Sequence, residues 1–408
     1  MTQGLASAFE ISSVTRRGRL AATRLTLSNF RNYANARIET DGMSIVLTGD
    51  NGAGKTNFLE AISFLVPGSG LRGAKLSDIA NINSGPGQDQ NKKQGPVGWG
   101  VAATLSGSSA ETIGTGLEKT RTGVGREKRT VHVDGQTVRT QSQLAEHFSC
   151  HWLTPQMDRL FQGGSDGRRR FLDRLVFSMD PAHAGRTSAY MHAMRERSRL
   201  LKDGKMDDAW LSALEETMAT KGVAVAAARM DVAKRLGDFC ENHNGAFPAA
   251  HLVIDGMAEG MLENNPALHV EERIKEILKA SRISDGQKGV TGSASDGRLA
   301  HQSDLVVTHL PKSAPAAMCS TGEQKMLLTG LVLGAARLSA LDEGRIPVLL
   351  LDEICAHLDE HHLGALFDEV FDIGAQSWFT GTDASLFSGL KGRARFATVD
   401  GGNITVSE

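Results

Sequence analysis

Cysteine is scarce in this chain: Cys150, Cys240, Cys319 and Cys355 stand far apart in 408 residues, and no two form a C-x-x-C pair. That spacing suits neither a disulfide frame nor a zinc site; it reads as reduced thiols in a cytoplasmic protein. No apolar run approaches the roughly 18 residues of a membrane span, so no membrane role is expected. The start of the chain has no continuous apolar stretch of the kind a signal peptide needs, and residues 1–20 read as a loosely ordered extension. Net charge is also nearly absent, at −2. The chain as a whole is therefore not drawn to nucleic acid or to an anionic membrane, and any nucleic-acid contact must use a local basic patch. No heptad is sustained over several repeats, which excludes a long coiled coil. What remains, 40% hydrophobic and 23% charged residues, is ordinary for a globular protein. The length fits two domains or one elaborated domain.

One stretch is far from ordinary. Gly49-Asp50-Asn51-Gly52-Ala53-Gly54-Lys55-Thr56 matches G-x-x-x-x-G-K-[ST], the phosphate-binding loop. The apolar run Met43 to Thr48 enters it as a strand, and Asn57 to Ile62 leaves it as a helix. Gly49, Gly52 and Gly54 let the backbone bend so that successive N–H groups face a phosphate. The helix N-terminus adds its positive end. Lys55 reaches the β- and γ-phosphates, and Thr56 places its hydroxyl on Mg²⁺. The motif implies a nucleoside triphosphate such as ATP.

Around this loop the pattern is α/β. Strands are expected at Arg24–Ser28, Val97–Ser106 and Arg129–Thr140, the last folded at Asp134-Gly135. Residues 83–98 read as an exposed loop, and Lys119, Arg121, Arg126, Lys128 and Arg129 as a basic cluster, either solvated or facing DNA. From Arg169 to Ala280 the pattern is mainly helical, with breaks near Asp180-Pro181, Asp203-Gly204, Asn244-Gly245 and Asn265-Pro266. Ser284 to Arg298 reads as a flexible connection. A helix at Gly322–Leu341, a strand at Pro347–Leu351, a helix at Asp359–Phe371, a strand at Gln376–Thr380 and a hairpin turning at Asp400-Gly401-Gly402 complete the chain.

Val348-Leu349-Leu350-Leu351 runs into Asp352-Glu353. A continuous apolar run reads as a strand buried on both faces. Ligands of open α/β sheets bind beyond the carboxyl ends of such strands. Asp352 is then placed to hold Mg²⁺, and Glu353 to act as general base on water. About 300 residues separate Lys55 from Asp352, so something is inserted between two halves of one site.

These motifs, in this order, resemble ABC-type ATPases of the SMC-like branch. Ser320-Thr321-Gly322-Glu323-Gln324-Lys325 resembles the ABC signature, and it is equally a capping box with Ser320 as N-cap. Ala356-His357-Leu358-Asp359 resembles the D-loop. Within the branch, Asn29-Phe30-Arg31-Asn32-Tyr33, Arg168 to Asp173 (RRxFLD) and Gln376 to Asp383 resemble the RecF family of bacterial recombination mediators. The resemblance implies an ABC/SMC-type head with an inserted, mainly α-helical lobe. Its parts would be 21–165 and 300–408 for the ATPase lobe and 166–299 for the helical lobe.

The same resemblance implies that Ser320, Gly322 and Asp359 face the nucleotide of a second copy, making an ATP-dependent homodimer. It implies binding to double-stranded or gapped DNA, help in loading recombinase with a RecR-type partner, and slow hydrolysis, since Thr382 stands where many ABC proteins place histidine. It puts Gln156 where a residue senses Mg²⁺ and the γ-phosphate, though a structural glutamine fits the position equally. Arg31 is a candidate nucleotide contact or a solvated arginine. His301 is a candidate contact of the second lobe or a structural histidine; Gln302 replaces an arginine of the family pattern beside it. Arg168, Arg169, Arg170, Arg195, Arg197 and Arg199 are candidates for DNA phosphates, or ordinary solvated arginines. A transporter's nucleotide-binding subunit and a non-hydrolysing adaptor share part of this motif set. On every reading Lys55→Ala should abolish nucleotide binding, which titration with a fluorescent ATP analogue checks.

Overall fold

The computed structural model describes residues 19–80, 98–117, 128–205, 207–242, 245–292, 297–343 and 346–407. The loop expected at 83–98, apart from its last residue, most of the extension at 1–20, Asn244, and Lys119, Arg121 and Arg126 of the basic cluster lie outside them.

Strands β1 (Ala21–Phe30) and β2 (Tyr33–Glu39) form a hairpin, and β3 (Ser44–Thr48) leads into the phosphate loop and helix α1 (Lys55–Ser63). Next come β4 (Trp99–Ser106), β5 (Thr112–Leu117), β6 (Arg129–Val133), β7 (Gln136–Thr137) and β8 (Cys150–Leu153). Helices α2 (Ser165–Met179), α3 (Ala182–Lys202) and α4 (Asp208–Asn242) precede β9 (Ala250–Asp255). Short helices α5 (Met257–Leu262), α6 (Ala267–Ala280) and α7 (Arg282–Lys288) lead to β10 (Asp304–His309) and β11 (Ala314–Pro315). Helix α8 (Thr321–Glu343), β12 (Val348–Leu351), α9 (Glu360–Ile373), β13 (Ser377–Gly381), β14 (Ala394–Asp400) and β15 (Asn403–Ser407) finish the chain.

The described residues form three sheets. The first is antiparallel, β2-β1-β4-β5-β6-β7. The second runs β15-β14-β3-β13-β12-β8, and its five strands from β14 to β8 are mutually parallel. The parallel strands β3, β8, β12 and β13 are buried at every position because helices and the first sheet cover both faces. Helix α1 lies between the two sheets, where Phe58, Leu59 and Ile62 join Leu25, Leu27, Trp99 and Trp378 in one core. On the other face, α2, α8 and α9 close a second core. Gln376 locks the sheets together: its side-chain amide accepts from Ala22 N–H and donates to Ala22 O, Thr40 Oγ1 and Met43 O.

The third sheet, β11-β10-β9, revises two expectations. The stretch expected to be helical carries strand β9, whose alternating Ala250, Leu252 and Ile254 pack against α4. Residues 304–309, expected with the ATPase lobe, pair with β9, and 314–315 add to the far side of β10. The expected flexible connection from Ser284 begins inside α7, because buried Asp285 accepts from Arg197 and Ser281 and leaves no free end there.

Several basic residues proposed for DNA are structural. Arg197 is fully buried and bonds Glu215, Asp285 and the Leu278 carbonyl. Arg168 forks onto Asp304, with two bonds of 2.7 Å. Arg169 donates to the Ser303 carbonyl. Arg129 donates to the carbonyls of Phe64, Val66 and Gly68, capping the end of the segment that follows α1. Arg170, Arg195, Arg199 and Lys128 remain exposed. His301 bonds Tyr190 at 2.7 Å, and burial lowers its imidazole to about 4, which favours the structural reading.

Asp173 of the RRxFLD stretch bonds His183 and receives both arms of Arg229. Burial works against its ionisation, but Arg229 and His183 outweigh that and hold its carboxyl well below the usual range. A carboxylate so depressed contributes stability above its unfolded pKa near 4, and that stability is lost as pH falls towards the folded value. Asp173→Asn should cost about 3 kcal/mol by stranding Arg229. In urea titrations, the gap between parent and variant should narrow as pH drops below about 4.

Candidate nucleotide site and signature face

The parallel register sets the site. Thr48 of β3 aligns with Gly381 of β13, and Leu351 of β12 aligns with Phe379 and with Leu153 of β8. The carboxyl ends of four strands thus share one edge, where ligands of such sheets bind. The phosphate loop leaves β3, Asp352-Glu353 leaves β12, and the 3-10 turn Pro155–Arg159 with Gln156 leaves β8.

The loop itself is braced from behind. Gly49, Gly52 and Gly54 all take left-handed φ, of 146°, 85° and 119°. A side chain at Gly49 would strike the Val399 carbonyl of β14, and one at Gly54 would strike Asn32. Asn32 donates to the Ala53 carbonyl and accepts from Asn57 at the start of α1, and Tyr33 donates to the Gly54 carbonyl at 2.9 Å. The N-F-R-N-Y element is therefore the support of the loop. Asp50, Asn51 and Gly52 face outward, exposed. Arg31 is engaged away from the loop: its guanidinium forks onto buried Glu60, at 2.9 and 2.8 Å, and donates to the Asp78 carbonyl. That pairing sets aside the solvated reading of Arg31.

Lys55 is 5% exposed and curls back, donating to the Gly49 and Asp50 carbonyls at 2.6 and 2.9 Å. An ammonium satisfied only by carbonyls inside its own loop is free to exchange them for phosphate oxygens. Thr56 donates to Asp352 Oδ1 at 2.9 Å, across 296 residues. Thr380, at the end of β13, donates to the same oxygen at 2.8 Å and accepts from Glu353 N–H at 2.8 Å. Burial pushes the Asp352 carboxyl up from its usual range, against the hydrogen bonds from Thr380 and Thr56. A buried carboxylate beside a threonine hydroxyl, with no cationic side chain bonded to it among the described residues, is the oxygen donor set a hard divalent cation takes. Mg²⁺ fits Thr56 and Asp352, and it would supply charge neutralisation to bound phosphates. Glu353 follows in a left-handed turn, φ 48°, half-buried at the mouth of the site.

Thr380 was missed in the sequence, although it ends the Trp378-Phe379 strand. The signal for it is topological: β13 lies between β3 and β12, so its last polar residue must fall between the two motifs.

Three site candidates lie apart from the loop. Ser320 is exposed and makes the capping box with Glu323: Glu323 accepts from Ser320 N–H at 3.0 Å, and Ser320 Oγ accepts from Glu323 N–H at 3.4 Å. Gly322 is open, with nothing near where a side chain would project. Asp359 caps α9 through His362 N–H at 2.8 Å. Among the described residues, no hydrogen bond or ion pair joins these three to 49–56. Gln156 is exposed beside Asp158, Arg159, Gln162 and Thr321 in an open cleft of about 780 Å³.

Residues 21–379 match the family model "RecF/RecN/SMC N terminal domain". The DNA replication and repair protein RecF of Mesorhizobium japonicum is 45% identical over 95% of this chain and 98% of its own length. Its counterpart in Agrobacterium fabrum is 45% identical over 95% of this chain and 99% of its own. The chain belongs to the RecF family.

The fold agrees with that of other RecF proteins. Two structures of the recombination mediator protein RecF in the RecFOR pathway, described as RecF-ATP and RecF-ATPrS, superpose with TM-scores of 0.75 and 0.74 at 20% identity. They cover 95% and 96% of this chain and 99% of each of those. The architecture is thus an ABC/SMC-type P-loop ATPase head with an inserted, mainly helical lobe and no long coiled coil among the described residues. Membership of the RecF family sets aside the transporter-subunit reading. No described helix is long and apolar enough to cross a membrane.

Within this RecF-type site, Thr380→Val removes the hydroxyl that joins Asp352 to the Glu353 backbone. Losing a hydrogen bond to a charged group should lower kcat for ATP roughly tenfold. KM should change little, because Lys55 and the loop are untouched. Steady-state ATPase kinetics measure both.

Proposed function

We propose that this chain is an ATP-switched DNA-binding protein of recombinational repair and replication restart. The observation that carries the proposal is the hydrogen-bonded chain Thr56–Asp352–Thr380–Glu353, which joins the phosphate loop to the acidic strand. ATP would lie along Gly49 to Thr56, with backbone N–H groups and Lys55 on its phosphates. Glu353, at the site mouth, would take a proton from the attacking water. Gln156, leaving the neighbouring strand β8, would sense the γ-phosphate.

Ser320, Gly322 and Asp359 are exposed and turned to no group of their own chain's loop. They would complete the site of a second copy, so that two ATP molecules are sandwiched in a two-fold dimer. The exposed capping box supports this reading, since a helix N-terminus with an open glycine beside it suits an anion. Hydrolysis, slow without a histidine at Thr382, would release the dimer.

DNA would be the dimer's ligand, as duplex or near a single-strand gap, with a RecR-type mediator as partner in loading recombinase. The names of the RecF relatives support this role. Among the described residues, exposed Arg170, Arg195, Arg199 and Lys128 would meet phosphates, Arg170 and Arg199 by exchanging their surface ion pairs with Asp166 and Glu196. The relevant units would be the ATPase lobe and a second lobe from 166 to about 318, cytoplasmic in location.

Sedimentation velocity with ATP, Mg²⁺ and gapped duplex DNA tests the proposal. Glu353→Gln should bind ATP, form a stable dimer and sediment with the DNA, while turnover falls roughly 10²-fold or more. A variant that turns over like the parent removes Glu353 as base. A parent that stays monomeric with ATP and ignores DNA removes the switch.

A further inference from the structure

One side chain of helix α2 grips the segment that follows the Gln156 turn. Arg168 donates through Nη1 to the carbonyls of Leu160, Phe161 and Gly163. Through Nε and Nη2 it donates to both oxygens of Asp304, each at 2.7 Å. The pair is largely shielded from solvent, with the Arg168 side chain 14% and the Asp304 side chain 12% exposed. An arginine fork on a carboxylate is charge-assisted and directional, so it fixes orientation as well as distance. Arg298 also reaches Asp304, at 3.4 Å, but from a more exposed position that it shares with Asp255.

The start of the gripped segment has other supports. Leu160 and Phe161 bury their side chains in the core beneath α2, α8 and α9, and Arg174 bonds Met157. Gln162, Gly163 and Gly164, which follow, are exposed, and the two glycines have no side chain to anchor them. There the Arg168 guanidinium takes the Gly163 carbonyl, while Gly163 N–H bonds the Arg159 carbonyl at 2.8 Å. At the other end of the grip, Asp304 opens β10, and the chain runs from it through β11 to Ser320, 16 positions on. Gln156, Arg159, Gln162 and Gly163 line one side of the open cleft of about 780 Å³, and Thr321 lies across from them. Arg168 therefore stands behind one wall of that cleft and is bonded to the segment that leads to the other.

We propose that Arg168, held by Asp304, is a positioning residue that sets the Gln156 turn against the signature helix within one chain. The turn expected to sense the chain's own nucleotide and the surface expected to meet a second copy's nucleotide would then move as one body. The consequence for turnover rests on the proposed ATPase function; the clamp itself does not.

Amide hydrogen exchange in nucleotide-free protein tests the clamp, and ATPase kinetics test its consequence. Arg168→Lys keeps the charge, but one ammonium cannot span a carboxylate and three carbonyls. Asp304→Asn leaves Arg168 an acceptor without charge, and it supplies a folded variant should Arg168→Lys fail to fold. Each should speed exchange at Gly163 tenfold or more. Each should also lower kcat tenfold or more, with KM for ATP within twofold because the phosphate loop is untouched. The double variant should be no worse than the worse single one, since both changes open the same clamp. Unchanged exchange at Gly163 overturns the clamp. Faster exchange with the parent's kcat overturns the positioning role, and so does a double variant whose loss is the product of the two single losses. If the parent itself hydrolyses no ATP, the ATPase reading falls, and exchange in the single and double variants still decides the clamp.

Discussion

The structure turns on one buried oxygen. Asp352 Oδ1 receives hydrogen bonds from Thr56 at the start of α1 and from Thr380 at the end of β13. Those three residues span 324 positions of the sequence. They meet because parallel pairing puts β13 between β3 and β12 with their carboxyl ends level. Burial pushes that carboxyl up from its usual range, against the hydrogen bonds from Thr380 and Thr56. A divalent cation bound there would favour its ionised form.

Everything behind the loop serves to keep this geometry fixed. Asn32 and Tyr33 hold the loop carbonyls, Arg31 and Glu60 anchor that turn to α1, and Gln376 ties the two sheets. In front, by contrast, little is closed. Ser320, Gly322 and Asp359 offer capped helix ends to solvent. A rigid rear and an open front suit a site that is completed by something arriving from outside.

The motifs with strict local geometry were readable from sequence. The phosphate loop, the apolar run into Asp352-Glu353, the capping box at Ser320 and the hairpin turn at Asp134-Gly135 each need particular residues at particular spacings, and each stands where that chemistry puts it. What escaped reading was decided at long range. Nothing local in Arg168-Arg169-Arg170 separates a DNA contact from an ion pair; Asp304, 136 residues away, does so for Arg168. Likewise Arg129 looked like part of a surface cluster until three carbonyls after α1 claimed it. Strand β9 was hidden among helices because its alternation is six residues long and its partner β10 lies some 50 residues on. Thr380 carried no motif of its own, and only strand order gives it a role.

In the proposed dimer each nucleotide site is shared between two copies. Mixing two inactive variants tests it most directly: Lys55→Ala, which loses the loop, and Ser320→Arg, which blocks the signature. In a mixed dimer one site combines both lesions, but the other pairs an intact loop with an intact signature. The account predicts that the mixture hydrolyses ATP although neither variant does so alone. A mixture as inactive as its components, from variants shown by sedimentation to associate, would contradict it.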